Sequence, residues 1–171
     1  FINYAYKCFY IFNNKTEIFK KRIIYILKKN KIKSLCLNDN IMRIKIPSLT
    51  ENVSVVESFI DNLKDKISLS DNIYGNILIS VTEAVNNAIV HGNKENKEKK
   101  VELYLKQNKK SISFIIKDEG PGFDESKIPD PINPKNLNNI KGRGVFLIKN
   151  LTDNVKFRNK GSEVELVFNL H

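Results

Sequence analysis

Two polar side chains one helical turn apart, Glu83 and Asn87, interrupt the otherwise apolar pattern of VTEAVNNAIVHG (81–92). On a helix, Ile73, Ile77, Val81, Ala84, Val85, Ala88 and Ile89 fall in one broad arc. Glu83 and Asn87 lie together on its flank, about 40° apart, with Asn86 turned further toward solvent. A carboxylate and an amide oxygen so placed can share a divalent ion, or position a metal-bound ligand beside a base. An isolated Glu-x-x-x-Asn is more often a solvated helix edge, so the pair needs support from elsewhere in the chain.

Two further stretches supply it. In DEGPGF (118–123), Asp118 follows an apolar run ending in Ile115–Ile116, and Gly120 and Gly122 come after it. Glycine lets backbone approach a flat ligand closely and adopt positive φ. A carboxylate at a buried strand end needs a hydrogen-bonding partner, and the exocyclic amino group of a ligand base would serve. Then GRG (142–144) stands directly before the helical run VFLIKNL. Glycines at a helix N-terminus leave N–H groups facing outward at the positive end of the dipole, where an anion can bind. Alone, Asp-x-Gly-x-Gly reads as a hairpin turn and Gly-x-Gly says little. In this order, separated by strands and a loop, the three stretches describe one site.

The elements that must hold them follow from period and punctuation. MRIKIPS (42–48) alternates and stops at proline, a first strand. Thr50 or Asn52 is placed to cap a helix reaching Lys66, with Val53, Val56, Phe59, Ile60 and Leu63 on one face. Ser70 or Asp71 caps the next helix, which Gly92–Asn93 ends. VELYLKQ (101–107) and SISFIIKD (111–118) read as an antiparallel pair, with Tyr104 and Phe114 assigned to the core. Residues 120–142, rich in Pro, Gly and Asn, read as a long irregular loop of the kind that is usually functional or disordered. A third helix and a closing hairpin complete the order β-α-α-β-β-loop-α-β-β, which predicts an α+β two-layer sandwich, a mixed and mostly antiparallel sheet with helices packed on one face.

The 171 residues suit one globular domain, and the longest apolar runs, such as 23–27, fall far short of the roughly 18–20 residues of a membrane span. Cys8 and Cys36 have no CxxC or histidine-rich company, which argues against a zinc site or disulfide scaffold and makes a reducing cytoplasm the expected setting. The net charge of +10 invites a nucleic-acid reading until it is located: residues 1–41 carry nine Lys/Arg against two acids, and 42–171 carry 20 against 17. The charge therefore belongs to one end, and a nucleic-acid-binding domain is the weakest of the function classes. That end, dominated by Lys, Asn, Ile, Phe and Tyr, is a doubtful extension with three readings open: upstream AT-rich sequence translated in error, a helical extension best at 18–33, or, least, a targeting peptide. The functional domain is placed at 42–171.

Together, Glu83-Ala-Val-Asn-Asn87, Asp118-Glu-Gly-Pro-Gly122 and Gly142-Arg-Gly144-Val-Phe-Leu-Ile resemble the N, G1 and G2 boxes of the GHKL ATPase superfamily, whose domain is the Bergerat ATP-binding fold, and GSEVELVFNL (161–170) is similar to its last strand. Within it, TEAVNNAIVHGN, DEGPGF and GRGVFLIKNLTD look most like the small bacterial anti-sigma-factor serine/threonine protein kinases of partner switching. The resemblance implies ATP and Mg2+ as cofactors, Asn87 as metal ligand, and Glu83 as general base toward a protein hydroxyl or water. It implies Asp118 as acceptor from the adenine amino group, Gly120 and Gly122 as room for the base, and Gly142 and Gly144 closing on the phosphates with charge from Lys141 or Arg143. Ser162 would complete the Asp118 network, and residues 124–141 would be the ATP lid.

The implied partners are a sigma factor and a small antagonist protein, with a homodimer expected and neither nucleic acid nor membrane. A histidine kinase needs an acceptor histidine on a dimerisation hairpin, and neither His91 nor His171 sits in one; His91 is expected to pack or cap a helix end. The competing function is a non-catalytic ATP-binding regulatory module, against which the retained Glu83 argues.

Overall fold

The computed structural model describes residues 33–38, 41–123 and 142–170; residues 1–32 of the doubtful extension, with their three readings, and the 124–141 lid segment, Lys141 included, lie outside them. Six strands form one sheet: β1 (Lys33–Asn38), β2 (Ile41–Pro47), β3 (Lys100–Gln107), β4 (Ser111–Lys117), β5 (Asn154–Arg158) and β6 (Glu163–Asn169). Their order is β1-β2-β3-β4-β6-β5. All five pairings are antiparallel, so the described sheet holds only the antiparallel part of the mixed arrangement expected. Strand β1 is one that a reading from Met42 onward omits. A 3-10 turn (Thr50–Asn52) leads into helix α1 (Val53–Ile67), α2 (Asp71–Asn87) follows, and α3 (Arg143–Leu151) precedes the last hairpin.

Period-two alternation places one residue set on the helical side of the sheet. Ile44 and Ile46 of β2, Val101, Leu103 and Leu105 of β3, Ile112, Phe114 and Ile116 of β4, and Val164, Leu166 and Phe168 of β6 are all buried there. Register aligns them, Ile44 with Leu103, Leu103 with Ile116, and Ile116 with Val164. From the helices come Val56, Ile60, Ile77, Val81, Val85, Ile89 and Ile148. The arc read from the sequence for α2 is the face it buries, extended by Ser80. Phe114 meets Phe168 edge to face with ring centroids 6.1 Å apart.

The opposite sheet face is a lattice of charge: the register lines up Lys45, Glu102, Lys117, Glu163 and Arg158 across five strands. Tyr104, expected in the core, belongs to this face instead, with the Arg43 guanidinium 5.2 Å and the Lys117 ammonium 5.4 Å from its ring centroid.

Local punctuation is partly as expected. Ser70 caps α2, its hydroxyl accepting from the Ile73 N–H at 3.4 Å. Asn52 does not cap α1: its amide donates to the Pro47 carbonyl at 3.0 Å and ties the helix entry to the end of β2. Thr50 is also diverted, its hydroxyl bonding Glu95 at 2.6 Å.

Candidate functional site

Helix α2 does not end at Asn87. It passes into a π-helical turn, Ala88–Gly92, closed by the Asn93 N–H on the Ala88 carbonyl at 2.8 Å. Such wide turns hold one residue more than the α-helix allows and recur at functional sites. The turn carries the chain off the helix toward the end of β4. His91, expected to pack or cap, stands exposed on it.

Glu83 and Asn87 are half-buried on α2. The neighbour of Glu83 is the first turn of α3. A Cβ added to Gly144 would land on the Glu83 carboxylate, so glycine is the residue that lets this helix start approach so closely. Gly142, with φ of 89°, is the residue from which α3 starts and brings no side-chain cap; its carbonyl accepts from the Phe146 N–H at 3.0 Å. Arg143 is exposed on the first helical residue. The 81–92 and 142–144 stretches therefore meet, with an acidic side chain against the positive end of a helix.

Asp118 follows the last residue of β4. Its Oδ1 accepts from the Gly120 N–H at 2.7 Å, and Oδ2 has no hydrogen-bond partner among the described residues. Burial pushes its carboxyl above the usual carboxylate range, opposed by the Gly120 N–H and the Lys99 charge. Gly92 makes room for it: a Cβ there would sit 2.5 Å from Asp118 Cγ. A Cβ on Gly120 would strike the Gly92 carbonyl, so the two glycines pack backbone on backbone. The 118–123 stretch thus meets the end of the 81–92 stretch.

The far end of the loop rests on the β5–β6 turn. Gly122 has φ of 76° and its Cα faces the Lys160 carbonyl, which accepts from the Phe123 N–H at 2.7 Å. Phe123, 40% exposed, packs edge to face on Phe157 at 5.4 Å. Ser162 meets Asp118 through backbone: its carbonyl accepts the Asp118 N–H at 3.0 Å, while its hydroxyl donates to the Asn159 carbonyl. Ser162 therefore reaches Asp118 through its backbone carbonyl and not its hydroxyl. The sequence marks Gly92 and Asn93 only as a helix stop and does not mark the Lys160 carbonyl, for whose contact the positive φ open to Gly122 is the one available hint.

The donor set bears on a bound metal. Among the described residues no three His, Cys, Asp or Glu side chains converge. An ion held here would take one or two protein oxygens, with the rest from phosphates and water, which is the habit of Mg2+. The half-buried carboxylate of Asp118, with one oxygen free of partners among the described residues, suits a neutral donor such as a purine amino group.

An antiparallel sheet backed by helices, with a carboxylate–amide helix, an Asp-x-Gly-x-Gly loop and a glycine-started helix converging at one end, defines an ATPase domain. Residues 46–168 match the histidine kinase-like ATPase domain, and the chain belongs to that family, whose substrate is ATP. Among curated relatives, the chain is similar to the serine-protein kinase RsbW of Oceanobacillus iheyensis, 26% identical over 129 residues, covering 72% of this chain and 82% of that protein. It is 28% identical over 124 residues to the serine-protein kinase RsbW of Staphylococcus aureus strain MSSA476, covering 68% and 78%. No helix among the described residues is long and apolar enough to cross a membrane.

Proposed function

We propose that this domain is an ATP-dependent serine/threonine protein kinase of the cytoplasm. Its substrate is a small antagonist protein in a partner-switching system, and it holds a sigma factor as the antagonist's competitor. The observation that carries the reading is the contact between the Glu83 carboxylate and the glycine-lined start of α3, because it sets a base beside the helix end suited to phosphate. The relatives' printed name supports protein serine as the acceptor.

Phosphoryl transfer asks a protein for position and charge more than for covalent chemistry. In the proposed reaction the serine hydroxyl oxygen forms a bond to the γ-phosphorus, the bond to the β,γ-bridging oxygen breaks, and the hydroxyl proton passes to Glu83. Asp118 accepts from the adenine amino group and so orients the nucleotide. Gly120 and Gly122 keep side chains off the base. The N–H groups at Gly142–Gly144, with Arg143 and Lys141, receive the phosphates. Asn87 would hold Mg2+, which when bound neutralises phosphate charge.

The test is labelled-phosphate transfer from ATP to candidate antagonist proteins. Glu83→Gln is expected to keep ATP binding and lose about 10²–10⁴-fold in transfer, the usual contribution of a general base. Asp118→Asn is expected to weaken ATP binding by about 1–3 kcal/mol, the cost of a stranded hydrogen-bonding group. A wild-type protein that binds ATP and phosphorylates none of the partners it binds would be a regulatory nucleotide-binding module instead.

A further inference from the structure

Asn93 is a polar residue that the proposed chemistry does not use, yet it is only 1% exposed. It sits where α2, β3 and the loop after β4 come together. Its Nδ2 donates to the Lys100 carbonyl at 2.9 Å, at the first residue of β3. Its Oδ1 accepts from the Glu119 N–H at 2.8 Å, one residue beyond Asp118. Its own N–H closes the π-helical turn on Ala88. The residue before it is Gly92, the glycine pressed against the Asp118 carboxylate.

Asp118 is thus fixed from two sides by consecutive residues. Gly92 bounds the space its carboxylate occupies, and Asn93 holds the peptide that follows it. Two other bonds reach Glu119, from the Lys100 N–H to its side-chain Oε1 and from Lys99 Nζ to its carbonyl on the next peptide, both at 3.0 Å. Both are exposed to water, which competes for such groups, whereas the Asn93 amide is buried and its bonds are correspondingly harder to replace. A carboxylate that must offer one oxygen to a ligand while the other holds the Gly120 N–H needs its backbone fixed to a fraction of an ångström.

We infer that Asn93 is a positioning residue for nucleobase recognition: through the Glu119 N–H it sets the orientation of Asp118, and so the preference for a 6-amino over a 6-oxo purine. The inference rests on the proposed role of Asp118 as acceptor from adenine. It does not follow from burial alone, because a residue that only stabilised the fold would change affinity for both purines alike.

The experiment is calorimetric titration of the full chain with ATP and with inosine triphosphate, which carries a 6-oxo group in place of the amino group. Asn93→Ala is expected to reduce the ATP preference about tenfold, the loss of one buried hydrogen bond that orients the acceptor. Asn93→Asp keeps an acceptor for the Glu119 N–H but sets a carboxylate oxygen against the Lys100 carbonyl; it is expected to lower thermal stability while holding the preference within about twofold. An unchanged preference in folded Asn93→Ala would overturn the inference. So would a collapsed preference in folded Asn93→Asp, which decides the matter if the alanine variant does not fold. A wild-type protein that binds both triphosphates equally would instead overturn the role given to Asp118, and the role of Asn93 with it.

Discussion

At Gly144 the missing side chain is the functional feature. A methyl group there would occupy the place of the Glu83 carboxylate. It could be accepted only by turning Glu83 aside or by backing the start of α3 away from α2. Either response separates the proposed base from the phosphate-binding helix end, and misplacement of about 1 Å costs on the order of 10²-fold in such reactions. Gly144→Ala is therefore expected to cut phosphate transfer by about that factor, while binding of adenosine, which lacks phosphates, stays near wild type. A steady-state transfer assay beside adenosine titration checks both halves, and equal transfer by the two proteins would show that the close approach is incidental. The glycines around Asp118 are of the same kind. Gly92 and Gly120 pack against each other and against one carboxylate, a requirement for closeness rather than for unusual backbone angles.

Gly75, by contrast, has nothing within 4 Å of the position its Cβ would take, and it lies inside α2. Glycine in a helix interior costs roughly 0.5–1 kcal/mol relative to alanine, through greater freedom in the unfolded chain. Gly75→Ala is expected to raise stability by about that amount, read as a higher urea midpoint at unchanged slope. A lower midpoint would show that α2 needs its flexibility within the fold. Elements were the most legible level of this chain. Apolar-rich runs at 101–107 and 111–118 on either side of a short polar turn mark two strands, and the apolar arc from Ile73 to Ile89 marks the buried face of α2, because each pattern reflects what an element can hide. Long-range partners were harder to read. Asn52 looks like a helix cap, but its amide found the Pro47 carbonyl. Tyr104 reads as core by its aromatic type, but it is in phase with Glu102 and Lys106 along β3 and lies between two cations on the other face. Asn93 spans three elements, and no local pattern says which carbonyl or N–H a buried amide will meet. The three motif stretches could be grouped by order and residue type, whereas their contacts through Gly92, Gly144 and Lys160 required the fold.

For the whole molecule, the charge lattice on the outer sheet face governs the response to acid. Burial alone would raise the Glu102 carboxyl, but hydrogen bonds from Lys45, Tyr104 and Arg43, with the Arg43 charge, outweigh it and hold the pKa at about 2 against an ordinary 4.5. Glu163 is also held below its ordinary value: burial opposes the shift, and Lys117 and Arg158 drive it. A carboxylate whose pKa is lower folded than unfolded binds fewer protons in the native state, so stability rises with pH across the interval between the two values. The Glu102 contribution is fully present above about pH 4.5 and is lost as pH falls toward 2. Asp118 has the opposite sign, because its folded carboxyl is raised, so acid penalises the lattice but not the site. Salt bridges of Glu102 to Arg43 at 2.5 Å and Lys45 at 2.8 Å are part-exposed, and screening keeps their individual worth modest. Urea midpoints measured from pH 6 down to about 3 should therefore fall more steeply for wild type than for Glu102→Gln, the two curves converging at the acid end. Parallel curves would mean that Glu102 has the same proton affinity folded and unfolded, and that Lys45, Tyr104 and Arg43 do not hold its carboxyl down.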